Sequence, residues 1–167
     1  CSSDLYRGVC YDVCHQSVEF EDVAESIHAL RAHDIRINKV HITCAIRIEQ
    51  PNTNLAAREV LAQYVEPRYL HQTMARNSTG EISRLIDLTT EMTSHPTDGF
   101  ELADEWRVHY HVPVNADSLG PLGTTREDLK LALKTVAGLD YAPHLEVETY
   151  TWEVLPDGKQ VSLVDGL

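Results

Sequence analysis

Four short apolar runs, separated by helix-like stretches and each carrying carboxylate or imidazole groups toward its C-terminal end, restrict most what this chain can become. Val9-Cys10-Tyr11 runs into Asp12, with His15 just beyond. Lys39-Val40-His41-Ile42-Thr43 carries His41, and Trp106-Arg107-Val108-His109-Tyr110-His111-Val112 carries two histidines. His144-Leu145-Glu146-Val147-Glu148 carries two glutamates. Strand-like segments alternating with helix-like ones are the pattern of βαβ units and a parallel sheet. In such a sheet the C-terminal strand ends all face one way, and α/β sites lie there. The expectation is an α/β fold with strands near residues 7–12, 37–43, 106–112 and 144–150, all parallel and neighbouring in order.

The intervening stretches supply the rest of the outline. Glu19 to His33 has Val23, Ile27 and Leu30 at helical spacing, an acidic first turn and Arg31 near its end, as the helix dipole favours. Ile35 to Ile48 reads as one extended run. Leu55 to Val65 reads as a helix that Pro67 stops. Asn77-Ser78-Thr79-Gly80 is a turn, Ile82 to Met92 has a helical pattern, and residues 94–99 are loop. After the break at Gly120-Pro121-Leu122-Gly123, Thr125 and Asp128 resemble a capping box. Leu129, Ala132, Leu133 and Val136 form the stripe of the helix that follows, and Gly138 ends it. Leu145 to Val154 is read as extended, followed by a turn at Pro156-Asp157-Gly158 and the opening of a helix at Leu163 to Leu167.

The 167 residues suit one domain with a real core. An eight-stranded barrel needs about 250. With Cys1 rather than Met in first place, residues 1–167 are expected to be a single partial domain, the C-terminal half of a larger protein. A net charge of −12 and a pI near 5.0 argue against phosphate-backbone binding and against docking on anionic membranes. No apolar run approaches the ~18 residues of a membrane span, and a cytoplasmic setting is expected. Cys10 and Cys14 are held too far apart on an extended backbone to pair easily, so Cys1, Cys10, Cys14 and Cys44 are expected as reduced thiols. Their spacing completes no zinc motif. No glycine-rich phosphate loop and no nucleophile elbow is present.

The chemistry therefore rests on the strand ends. A divalent ion needs carboxylate and imidazole ligands that converge within a few ångströms. Asp12, His41 and Glu148 meet that need if their strands bring them together. His15 lies where it can bind metal or a substrate oxygen, and Arg47 is placed to neutralise an anionic or polyhydroxylated substrate. His109 and His111 share a face by strand alternation and so line one cavity. Glu146 and Glu148 also share a face. Glu148, nearer the strand end, is preferred as ligand, with Glu146 as the neighbour that orients it. The alternatives are a helix cap for Asp12 or Ser17 and an arginine pair for Glu148.

Asp-x-x-His at the first run, His followed six residues later by Arg at the second, and Glu at the last resemble the second half of the xylose-isomerase-like TIM barrels. That group includes sugar isomerases, sugar epimerases and metal-dependent abasic-site endonucleases. The runs 9–16, 66–72, 106–113, 119–125 and 144–152 are similar to those of the metabolite traffic protein EboE family, which is linked to moving secondary-metabolite precursors. The resemblance implies four βα units of a (β/α)8 barrel and a divalent cation (Mn, Mg or Zn) held by Asp12, His41 and Glu148. It also implies a small polyhydroxylated substrate touched by His15 and Arg47. Glu148 and His15 are the expected catalytic groups, with His109, His111 and Glu146 lining the substrate site. Isomerisation or epimerisation is the expected reaction. Non-catalytic binding and handover is the rival, and the acidic charge disfavours an endonuclease. A further glutamate ligand is implied on an earlier strand that the sequence does not include, so metal binding by the chain alone is expected to be weak. The open barrel edge is expected to promote association.

Overall fold

A computed structural model describes residues 7–148 and 151–156. Strand β1 (Val9–Asp12) leads directly into the short helix α1 (Val13–Val18), and α2 (Val23–Ala32) follows. Asp22 caps α2, its carboxylate accepting from the N–H groups of Ala24 and Glu25 at 2.9 Å each. The expected helix over residues 19–33 thus begins at Val23, and the preceding acidic residues are loop and cap. Phe20, just past α1, has φ 60°, a conformation that costs a bulky residue about 1–2 kcal/mol. Its ring lies under the guanidinium groups of Arg76 and Arg107, at 4.3 and 4.5 Å, which offsets that cost.

The extended run at 35–48 is two strands, β2 (Ile37–Ile42) and β3 (Cys44–Glu49), with Thr43 between them. They enter different sheets. β1 and β2 pair in parallel, and β2 pairs in parallel with β9 (His144–Val147), giving the order β1-β2-β9. Asp12, His41 and Glu146 sit in register across this sheet. Cys10, Lys39 and His144 share their face by alternation, so the sheet has one polar face. Its other face carries buried Tyr11 and Val40, and the Tyr11 hydroxyl donates to the Val23 carbonyl of α2 at 3.0 Å. α2 packs against α5 (Arg126–Ala137) on that side, burying Val23 and Ile27 with Leu129, Ala132 and Val136. Each of the larger of these side chains contributes about 1.5–3 kcal/mol when fully buried.

β3 belongs to a six-stranded antiparallel sheet of order β5-β4-β6-β3-β8-β7. Its other members are β4 (Thr73–Arg76), β5 (Ile82–Leu85), β6 (Glu105–Val112), β7 (Ser118–Leu119) and β8 (Leu122–Thr124). The strand expected at 106–112 exists, but as β6 it runs antiparallel to β3 instead of joining the parallel sheet. The expectation of four parallel strands in sequential order is therefore corrected to three, with β9 beside β2. β6 is buried along its whole length on both faces, polar and apolar residues alike, and such burial carries no mark of strand direction.

Residues 82–92 are likewise not one helix. β4 and β5 form a hairpin around residues 77–80, with Gly80 at φ 86°, and α4 spans Thr90–Ser94. The helix expected at 55–65 is α3 (Leu55–Leu61) with a 3₁₀ turn to Tyr64. Thr125 forms no capping box. Its Oγ1 accepts from the Ala45 N–H at 2.9 Å, its own N–H donates to the Ala45 carbonyl at 3.0 Å, and Asp128 pairs with Arg107. Leu145 to Val154 is a strand only to Val147, with a 3₁₀ turn at Trp152–Val154. Cys1, Thr149, Tyr150, most of the turn at 156–158 and the helix start at 163–167 lie outside the described residues. Among the described residues no helix is long and apolar enough to cross a membrane.

Candidate metal centre at the strand ends

Asp12 ends β1, and its two carboxylate oxygens face different partners. Oδ1 accepts from the His15 N–H at 3.2 Å and from the Thr43 hydroxyl at 3.4 Å. Thr43 Oγ1 in turn accepts from the Cys14 N–H at 3.1 Å. One oxygen of Asp12 thus fastens the start of α1 to the β2–β3 junction. Oδ2 faces the site, 3.3 Å from His41 Nδ1 and 3.4 Å from His15 Nδ1. Asp12 is the helix cap, and its second oxygen is left facing the site.

His41 Nδ1 also lies 3.0 Å from Glu148 Oε2. Asp12, His41 and Glu148 are therefore brought together at the C-terminal ends of three parallel strands. His41 Nε2 is buried without a hydrogen-bond partner, and Glu146 Oε1 lies 3.9 Å away. Glu146 Oε2 pairs with Lys39 Nζ at 2.8 Å. Glu146 is thus a neighbour of His41, as its register position dictates, while Glu148 closes on the site.

β6 supplies the far wall. His109 and His111 project from one face of it, with ring centroids 5.1 Å apart. His111 Nδ1 is 3.7 Å from Glu148 Oε2. A ligand atom each from Asp12, His111 and Glu148 lies within 4.8 Å of the others. The exposed His15 ring stacks on His109 at 4.2 Å between centroids. So β6 brings its histidines to the site although it is not one of the parallel strands. Thr151 fixes this wall by donating from its hydroxyl to the His111 carbonyl.

Arg47 is the residue that the structure places elsewhere. On β3, its Nε donates to Glu105 Oε1 at 2.8 Å, and its Nη2 lies 2.6 Å from Glu49. Glu105 also binds Arg107 at 2.6 Å and Arg76 at 3.3 Å. Arg47 therefore belongs to a carboxylate-centred cluster of the antiparallel sheet, not to the rim of the site. Strand β3 turns away at Thr43, which carries position 47 into the other sheet.

The electrostatics follow from burial and neighbours. Burial pushes Asp12 up, but the charge and backbone N–H of His15, together with His111 and His41, override it and hold the carboxyl below its usual range. Burial raises Glu148, with Asp12 and Glu146 adding to it against the pull of His41. Burial, aided by neighbouring histidines, pushes His109 down to about 4 and His111 down to about 3. Two carboxylates with the ring nitrogens of His41 and His111 beside them form a donor set that suits a divalent cation. Sequence reasoning missed Thr43, Cys14 and Thr151. Only Thr43, which closes the run Lys39 to Thr43, carried a signal that pointed to it. The chain matches no family model, no curated protein and no solved structure.

Proposed function

We propose that the chain is part of a metal-dependent enzyme that isomerises or epimerises a small polyhydroxylated metabolite. The observation that carries this reading is the convergence of Asp12, His41 and Glu148 at the ends of β1, β2 and β9. These three residues would hold the cation, and His111 stands beside them. When bound, the cation supplies Lewis-acid polarisation of a carbonyl and a template for neighbouring hydroxyls. Glu148 is assigned to move the proton on the carbon next to that carbonyl. Its burial favours this task by bringing the carboxyl closer to neutral pH. His15, exposed at the mouth and braced on His109, is assigned to meet a substrate oxygen.

The architecture we propose for the parent is a xylose-isomerase-like (β/α)8 barrel of the EboE kind. Support comes from the motif resemblance and from the parallel order β1-β2-β9 with α2 and α5 together on one face. The polar face of the sheet, with Cys10, Asp12, Lys39, His41 and His144, would be the barrel interior. In this reading the antiparallel sheet is inserted between β2 and α5. The full-length protein, incubated with Mn²⁺, Mg²⁺ or Zn²⁺ and a panel of sugars in deuterated water, should place solvent deuterium on the carbon next to the carbonyl. Tight binding with no exchange for any sugar would overturn the enzyme reading in favour of a binding and handover protein.

A further inference from the structure

Cys14, His109 and His111 are buried side by side, at 0%, 9% and 4% exposure. One sulfur and one ring nitrogen from each histidine lie within 4.8 Å of one another. The two Nε2 atoms are 3.3 Å apart. That is about the edge of a tetrahedron whose metal–nitrogen bonds are ~2.0 Å, so the pair stands at ligand spacing. Cys14 is the second residue of α1, and its N–H is tied to Thr43. Its side chain is thereby held toward the face of β6 that carries the histidines.

We propose that Cys14, His109 and His111 form a second metal site, selective for Zn²⁺ or a similarly thiophilic divalent ion. This goes beyond the carboxylate site described above and does not depend on the reaction assigned to it. Sulfur with two imidazoles is a borderline-soft set, whereas Asp12 and Glu148 offer hard oxygen. The His111 ring joins the two. Its Nε2 faces His109, and its Nδ1 lies toward Glu148. An imidazole that binds metal through one nitrogen commonly directs the other toward a carboxylate, which fixes both groups. The stacked His15 ring holds the His109 plane. Three protein ligands leave a fourth tetrahedral position open.

The binding step balances simply. The Sγ–H bond of Cys14 breaks, its electron pair forms the bond to the cation, and the proton leaves to solvent. The two histidines bind through ring-nitrogen lone pairs, so the proton accounted for in the step is that of the thiol.

Cobalt(II) is the probe. Added to the reduced full-length chain, it should give a thiolate-to-metal charge-transfer band in the near ultraviolet at one equivalent. Cys14→Ser should remove the band, while Cys1→Ser, Cys10→Ser, Cys44→Ser and Asp12→Asn should retain it. The Asp12→Asn arm separates this site from the carboxylate site, because failure of the latter leaves the band unchanged. If Cys14→Ser does not fold by circular dichroism, His109→Gln replaces it, with loss of the intense tetrahedral visible bands as the expected result. No band in the parent chain would overturn the proposal. So would a band that survives Cys14→Ser, or visible bands unchanged by His109→Gln. In each of these cases the Nε2 contact is a hydrogen bond between two core histidines.

Discussion

His41 Nδ1 lies between two carboxylates, 3.0 Å from Glu148 Oε2 and 3.3 Å from Asp12 Oδ2. Nδ1 carries at most one hydrogen, so the ring donates through it to only one of them, and the second carboxylate has no hydrogen bond from that nitrogen. A cation would satisfy both carboxylates at once.

Asp12 joins the start of α1 to the site, and its two tasks can be separated. Asp12→Ala should abolish Mn²⁺ binding by the full-length protein and also cost about 1 kcal/mol through loss of the cap. Asp12→Asn should keep the cap and most of the stability while still weakening Mn²⁺ binding. Paramagnetic resonance titration and urea unfolding measure the two effects. Equal Mn²⁺ affinity in the parent and in Asp12→Ala would remove Asp12 from the ligand set.

The metal-free protein should lose stability as pH falls from about 6.5 toward about 4. The histidine pKa values drop from 6.5 to about 4 and about 3 on folding. Over that range the unfolded chain therefore binds more protons than the folded one, and acid favours unfolding. Each histidine adds at most about 1.4 kcal/mol per pH unit in that window. Glu148, raised on folding, acts in the opposite sense and reduces the slope. Urea midpoints recorded with a chelator present should fall with acid, and His109→Gln should flatten the trend. A flat profile in the parent chain would contradict the burial of this pair.

Glu105 holds Arg47, Arg76 and Arg107 together. Glu105→Gln should cost about 3 kcal/mol, because it leaves cations with too little negative charge in a largely buried setting. Arg47→Ala should cost less and leave Mn²⁺ affinity unchanged. A large loss of metal or sugar binding in Arg47→Ala would return that residue to the substrate rim, where its spacing from His41 had suggested it.

β9 is an edge strand among the described residues, and Leu145 and Val147 are 50% and 43% exposed on it. Such an edge invites pairing with another chain. Sedimentation velocity should show concentration-dependent association, and the double variant Leu145→Lys with Val147→Lys should suppress it. Identical sedimentation of the two proteins would place the contact elsewhere.

The polar positions at the strand ends were legible in the sequence, because a carboxylate or imidazole closing an apolar run has few other places to go. Asp12, His41 and Glu148 come together by geometry that strand polarity implied, and alternation put His109 and His111 on one face. Strand direction was not legible. The residues of β6 are buried on both faces, so nothing in them distinguishes a parallel neighbour from an antiparallel one. The hairpin at 73–85 was half visible, since its turn was marked while its short flanks matched a helical period equally well. In the sequence Cys14 reads only as a reduced thiol whose spacing completes no zinc motif, and only its nearness to β6 gives it a chemical role. Arg47 went astray because Thr43 switches the chain between sheets without any glycine or proline to mark it.

The paired backbone and side-chain bonds between Ala45 and Thr125 mean that the chain leaves and re-enters the parallel framework at nearly one point. Everything from Cys44 to Thr124 is thus a detachable loop in the topological sense, and sites whose two ends adjoin are where domains are most readily exchanged. Yet that loop brings His109 and His111. A graft that replaced it and rebuilt the core that β3 and β6 share with α2 and α5 would leave Asp12, His41 and Glu148 in place and change the opposite wall. The framework supplies the constant half of the chemistry, and the excursion supplies the half that can be rewritten.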